Sequence, residues 1–202
     1  RDVSARRVIG IGCGRGERDA QKLVALDEPL ERELHTAAER ARNIAWYLTL
    51  SATALAAGGD TIRVRALLDS VEATGRRSLF PRDPLLHHFL RGLLLAGAGQ
   101  HDEAVRSFGA AISSPSEGYT RINYEMAGSL LALKRPREAA AILRSALHGA
   151  IDESGLYLTR TETHERLAQA FDAAGQRDSA AVHYAIVERA WRGADANYKA
   201  RY

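Results

Sequence analysis

The sequence predicts an all-α chain built from successive helix pairs, and three observations carry that expectation. Two short stretches nearly repeat one another, Ala98-Gly99-Gln100-His101-Asp102-Glu103-Ala104 and Ala174-Gly175-Gln176-Arg177-Asp178-Ser179-Ala180. Four segments place two small or β-branched apolar residues 12 positions apart, at Ala52 and Val64, Gly92 and Ala104, Ala127 and Ala139, and Ala168 and Ala180. Between the members of three of these pairs stand Gly59, Gly99 and Gly175, where a helix end needs a left-handed residue.

Each segment carries further apolar residues at helical offsets: Leu55, Leu68 and Val71; Leu95, Phe108 and Ala111; Leu130, Leu143 and Ala146; Phe171, Tyr184 and Val187. A small residue on the first helix lets the second approach closely, and the larger residues fill the space beside it. One helix pair cannot bury its apolar face alone, so neighbouring pairs must stack. Asp60, Asp102 and Asp178 are expected as N-caps of the second helices, and Pro136 suits an early helical position in the segment without a turn glycine.

This pattern of small, large, small and large apolar residues resembles the tetratricopeptide-repeat family. The resemblance implies a right-handed α-α superhelix, or solenoid, of four to five helix pairs forming one domain over residues 1–202. The repeats would cover residues 44–74, 84–114, 119–148 and 160–192, with a degenerate repeat at 1–28 and a capping tail at 193–202. The extra length between copies falls at residues 74–84 and 148–161.

The first segment admits two readings. Val8-Ile9-Gly10-Ile11-Gly12-Cys13-Gly14-Arg15-Gly16 looks like the glycine-rich loop of methyltransferases that use S-adenosylmethionine. That reading requires a strand, a helix and a second strand ending in an acid, and no β-branched strand precedes Asp27 and Glu28. Val8, Ile11, Ala20 and Val24 instead follow the spacing of the four copies, so a weak fifth repeat is expected, with glycines lowering its helicity. Residues 27–57 then hold the end of that repeat and one long helix, or two helices meeting near Pro29 or around His35, with Leu30, Leu34, Ala41, Ile44, Ala45 and Leu48 at helical spacing.

Composition narrows the function. Hydrophobic residues make up 46% and charged residues 26% of 202, as in an ordered chain with a substantial core. No apolar run reaches the roughly 18 residues of a membrane span. A single cysteine, Cys13, excludes an internal disulfide framework and fits a reducing cytoplasm. The net charge of +3 is small and the arginines are dispersed among acids, so nucleic acid is not indicated as a partner. The chain begins at Arg1 and its one methionine is Met126, which is expected of a piece of a larger protein.

Nothing in the residues points to catalysis or to a cofactor. His87 and His88 are adjacent and diverge on a helix, and His164 has no second histidine at the zinc-protease spacing. No nucleophile elbow or phosphate-binding lysine loop occurs. The family resemblance implies that first helices line a concave face where peptides bind, which places Trp46, Thr49, Phe89, Leu93, Arg121, Tyr124, Glu165 and Gln169 in a groove, unless a long connection or terminal helix fills it. It further implies a non-catalytic protein–protein interaction or regulatory sensor module within a larger bacterial signalling or transcription-regulating protein. The partner would be a protein or peptide segment, and the face leaves room for a homodimer. The alternative function is a fragment of an S-adenosylmethionine-dependent methyltransferase using the glycine run from Gly10 to Gly16.

Overall fold

Four helix pairs occupy residues 37–112, 120–148 and 158–193, the parts of the chain described by the computed structural model. They comprise α1 (Ala37–Ala57), α2 (Thr61–Arg77), α3 (Leu86–Gly97), α4 (His101–Ala111), α5 (Thr120–Ala132), α6 (Pro136–His148), α7 (Arg160–Ala173) and α8 (Arg177–Trp191), with a 3-10 turn at Asp83–Leu85. No strand occurs among the described residues. The chain divides into two compact units, residues 1–113 and 114–202.

All four pairs turn in the same way. After each first helix, one residue takes a left-handed backbone: Gly59 (φ 80), Gly99 (φ 76), Gly175 (φ 75) and, in the third pair, Lys134 (φ 57). The next amide reaches back to the carbonyl of Leu55, Leu95, Leu130 or Phe171, and the left-handed residue's own amide to that of Ala56, Ala96, Leu131 or Asp172. This paired closure satisfies carbonyls that a helix end otherwise leaves open. The carbonyl that accepts from five residues ahead belongs to the large apolar residue of the repeat pattern, so the turn and the packing are set by one position.

The second helices begin differently from expectation at two sites. Asp60 caps α2, its carboxylate accepting from the Arg63 amide at 3.0 Å. The caps of α4 and α8 are Gln100 and Gln176, with no side-chain capping bond, and Asp102 and Asp178 lie inside the first turn. The repeat register explains the correction, because Asp60 aligns with Gln100 and Gln176. Asp102 and Asp178 there complement the helix dipole instead of capping. Pro136 opens α6 as expected.

Within the first unit, α1 pairs with α2 and α3 with α4; α2 packs on α3, and the first helices α1 and α3 touch directly. Within the second, α5 pairs with α6 and α7 with α8, with α6 packed on α7 and α5 against α7. The repeat positions form the core of each unit. Ala52, Val64, Val71, Ala104, Phe108, Ala127, Ala139, Leu143, Ala168 and Val187 are all fully buried. Gly92 lies against the Phe108 ring with no room for a Cβ, which is the close approach the pattern predicts. Leu68 and Leu95 are half-buried, and Tyr184 is exposed on α8, whose principal contact among the described helices is α7.

Candidate functional site

The first helices of the second unit bring four side chains into one group. On α5, Arg121 Nη1 donates to Glu125 Oε1 at 3.1 Å, one helical turn away, and its guanidinium sits 5.7 Å from the Tyr124 ring centre. From α7, Arg166 crosses over: its guanidinium lies 3.4 Å from the centre of the same ring. Arg166 Nη1 also donates to the Tyr124 backbone carbonyl at 2.8 Å and stands 3.9 Å from Glu125 Oε2. Glu125 therefore faces two guanidinium groups, and one Tyr124 ring meets both. Gly128 gives Arg166 its path across α5, since a Cβ there would come within 3.1 Å of Arg166 Nη1.

Burial holds the Tyr124 phenol above its ordinary pKa, and the Arg166 charge only partly offsets this. The group forms a part-exposed surface with an aromatic face and both signs of charge. Glu165 beside it is half-buried and Gln169, a turn further along α7, is exposed.

The structure separates the remaining candidates. In the first unit Thr49 is fully buried, its hydroxyl donating to the Ala45 carbonyl at 2.7 Å. Phe89 is fully buried too, its ring 6.0 Å from that of Phe108. Neither has surface to offer a ligand, because both face the packing between helices. Leu93 is half-buried.

Trp46 is half-buried and engaged by the chain's own connection between α2 and α3. Its indole N–H donates to Asp83 Oδ1 at 3.0 Å, and Arg82 lies 5.6 Å from its ring. Asp83 is itself buried and also accepts from Ser78 Oγ at 2.6 Å. Nearby, Arg42 of α1 covers the Phe80 ring at 3.8 Å. The extra residues between the first two repeats thus pack back onto α1 around Trp46.

Sequence reasoning missed Glu125 and Arg166. A signal existed: they occupy the same position of consecutive repeats, with opposite charge. The glycine run Gly10, Gly12, Gly14 and Gly16, like Cys13 and the expected tail at 193–202 beyond Gly193, lies outside the described residues. No strand among the described residues supplies the sheet that a cofactor loop of that kind opens from.

No group of three or more His, Cys, Asp or Glu among the described residues is placed to hold a metal ion. No helix among them is long and apolar enough to cross a membrane. A cleft of about 570 Å³ opens beside the α7–α8 turn, lined by Arg144, Phe171, Gln176, Arg177 and Ser179 among others. It shares no residue with the Tyr124 group.

No family model and no curated protein matches the chain. Among solved structures, the chain is similar to the crystal structure of a Podosopora anserina putative kinesin light chain with nearly identical TPR-like repeats. The match has a TM-score of 0.50 at 19% identity and covers 96% of this chain and 98% of that one. The chain therefore has the all-α, tetratricopeptide-like helical-repeat fold that the residue spacing predicts.

Proposed function

We propose that this chain is a protein-interaction module of a larger regulatory protein, binding a protein or peptide segment and carrying out no reaction itself. The observation that carries the reading is the Tyr124 group: a half-buried aromatic ring, two guanidinium groups and a carboxylate on adjacent first helices. Such a surface offers stacking, directional hydrogen bonds and paired charges together, which is the chemistry of peptide recognition. Glu165 and Gln169 extend it along α7. The fold supports the same reading, because stacked helix pairs present long continuous faces, although fold alone does not fix function.

Trp46, held by Arg82 and Asp83, serves the first unit as an anchor for its own connection, and the binding surface we propose lies on α5 and α7. A place in a bacterial signalling or transcription-regulating protein rests on the family resemblance.

Site-specific photocrosslinking in source cells tests the proposal. A photoreactive residue at Gln169, on the exposed first-helix side, should capture a defined protein. The same residue at Arg137, exposed on α6, should not. Equal capture from both positions, or capture from Arg137 alone, would place binding elsewhere. Capture of a second copy of this chain from Gln169 would identify the partner as a homodimer.

A further inference from the structure

We infer that His164 and His183 form a proton-sensitive latch that holds α8 against α7, independently of what the Tyr124 surface binds. The two residues lie 19 positions apart on opposite helices of the last pair, and their Nδ1 atoms meet at 2.8 Å. Their ring centres are 5.0 Å apart and the planes are inclined by 26°. With the nitrogens so much closer than the centres, the rings meet edge to edge through Nδ1. Two nitrogens at this distance require one proton between them, with one ring donating and the other accepting.

That geometry fixes where added protons can go. In the neutral pair, the donor ring keeps a free Nε2 and the acceptor ring uses its Nδ1 lone pair. A first added proton goes to the donor's Nε2 and leaves the bond intact, now charge-assisted. A second must go to the acceptor's Nδ1, which is the lone pair receiving the bond. Both nitrogens would then carry hydrogens at 2.8 Å, and one ring must leave. The pair therefore titrates in two separated steps that belong to it jointly.

The surroundings add little to stabilise a doubly charged pair. Burial lowers the pKa of both rings, and for His164 the His183 ring and Arg160 of α7 lower it further. Other charged groups stand on the packed helices: Arg121 and Glu125 on α5, Arg137, Glu138 and Arg144 on α6, Glu162, Glu165, Arg166 and Asp172 on α7, and Arg177, Asp178, Glu188 and Arg189 on α8. None of them counters the lowering at either ring. Glu165 and Asp172 act instead on Tyr184, which adjoins His183. Phe171 lies parallel to the His183 ring at 5.5 Å, inclined by 15°, and closes one face of the site.

The latch matters because α8 is otherwise lightly held: Ala180 and Val187 are its buried residues, whereas Val182 and Tyr184 are exposed. The sign is fixed by linkage. A histidine whose folded pKa is lowered leaves the folded state binding fewer protons than the unfolded chain. The contribution is complete above the ordinary histidine range, near 6.5, and is lost as pH falls below it. Acid releases α8.

Amide hydrogen exchange on the full 202-residue chain at pH 7.5 and pH 5, corrected for intrinsic rates, reads this directly. In the wild type, α8 should lose protection at pH 5 relative to α5 and α6. A His183→Phe variant, which can still stack on Phe171, should show no α8-specific loss. An equal loss in the variant, or no loss confined to α8 in the wild type, overturns the latch. Should the variant fold poorly, imidazole NMR titration of the wild type decides. Two separated steps, one well below the ordinary range, support the latch; both rings titrating together near 6.5 refute it.

Discussion

Arg166 of α7 holds Tyr124 of α5 in two ways at once, through its guanidinium over the ring and through a hydrogen bond to the backbone carbonyl. A helical carbonyl already serves its own helix, so the second bond marks a contact that needs the planar fork of arginine. Lysine can supply charge but cannot both stack and donate in that geometry. Arg166→Ala should lower the stability of the second unit by about 1–2 kcal/mol, and Arg166→Lys should recover less than half of that. Urea unfolding followed by circular dichroism checks both variants; full recovery with lysine would contradict a stacked, directional role.

The glycines differ in what surrounds them, and alanine should sort them. Gly92 has the Phe108 ring where a Cβ would go, whereas Gly109 on α4 has open space. Gly92→Ala should cost about 2–3 kcal/mol through overpacking at a fully buried aromatic. Gly109→Ala should stabilise by about 0.5–1 kcal/mol through helix propensity. Thermal unfolding of the two variants should move in opposite directions.

Lys134 stands where the other three pairs use glycine, with φ 57. A side chain in the left-handed region is strained, and glycine relieves it. Lys134→Gly should therefore gain about 0.5–1 kcal/mol, and Gly99→Ala, with φ 76, should lose about 1 kcal/mol. A neutral or negative result for Lys134→Gly would show that its side chain contributes more than its backbone costs.

Asp83 joins α1 to the connection by accepting from both Trp46 and Ser78. Asp83→Ala leaves two donors without their partner and should cost about 2–4 kcal/mol. Trp46→Phe removes one donor and keeps most of the apolar contact, so about 1–2 kcal/mol is expected. A double-mutant cycle should show the two losses to be non-additive; simple additivity would mean that the 3.0 Å bond carries no coupling.

These contacts also show why the sequence was legible in some respects and silent in others. The fold follows from short-range rules, in which a large residue such as Leu55 or Phe171 fixes both the helix end and the packing, so fixed spacing reveals it. Asp102 and Asp178 misled because an acid near a helix start serves equally as a cap or as a first-turn dipole partner.

Phe89 misled for a related reason: an aromatic on a first helix can point inward to a groove or sideways into the second helix, as Phe89 does toward Phe108. The charged pair Glu125 and Arg166 and the histidine pair each join residues of two different helices, which the spacing along one helix does not link. His164 and His183 fall on the register that elsewhere joins His88 and Ser107, where the serine hydroxyl donates to the His88 carbonyl at 2.9 Å.

Loss of Phe89 would consequently report on the core and not on binding. The most direct measurement of the interaction proposal is calorimetric titration of the photocaptured segment into the purified chain and into a Glu165→Arg, Gln169→Arg double variant. The two substitutions change charge on the α7 surface while leaving the buried repeat positions intact. Affinity should fall at least about tenfold, or 1.4 kcal/mol, with unfolding midpoints unchanged. Undiminished affinity in the equally stable variant would contradict recognition by the first-helix face.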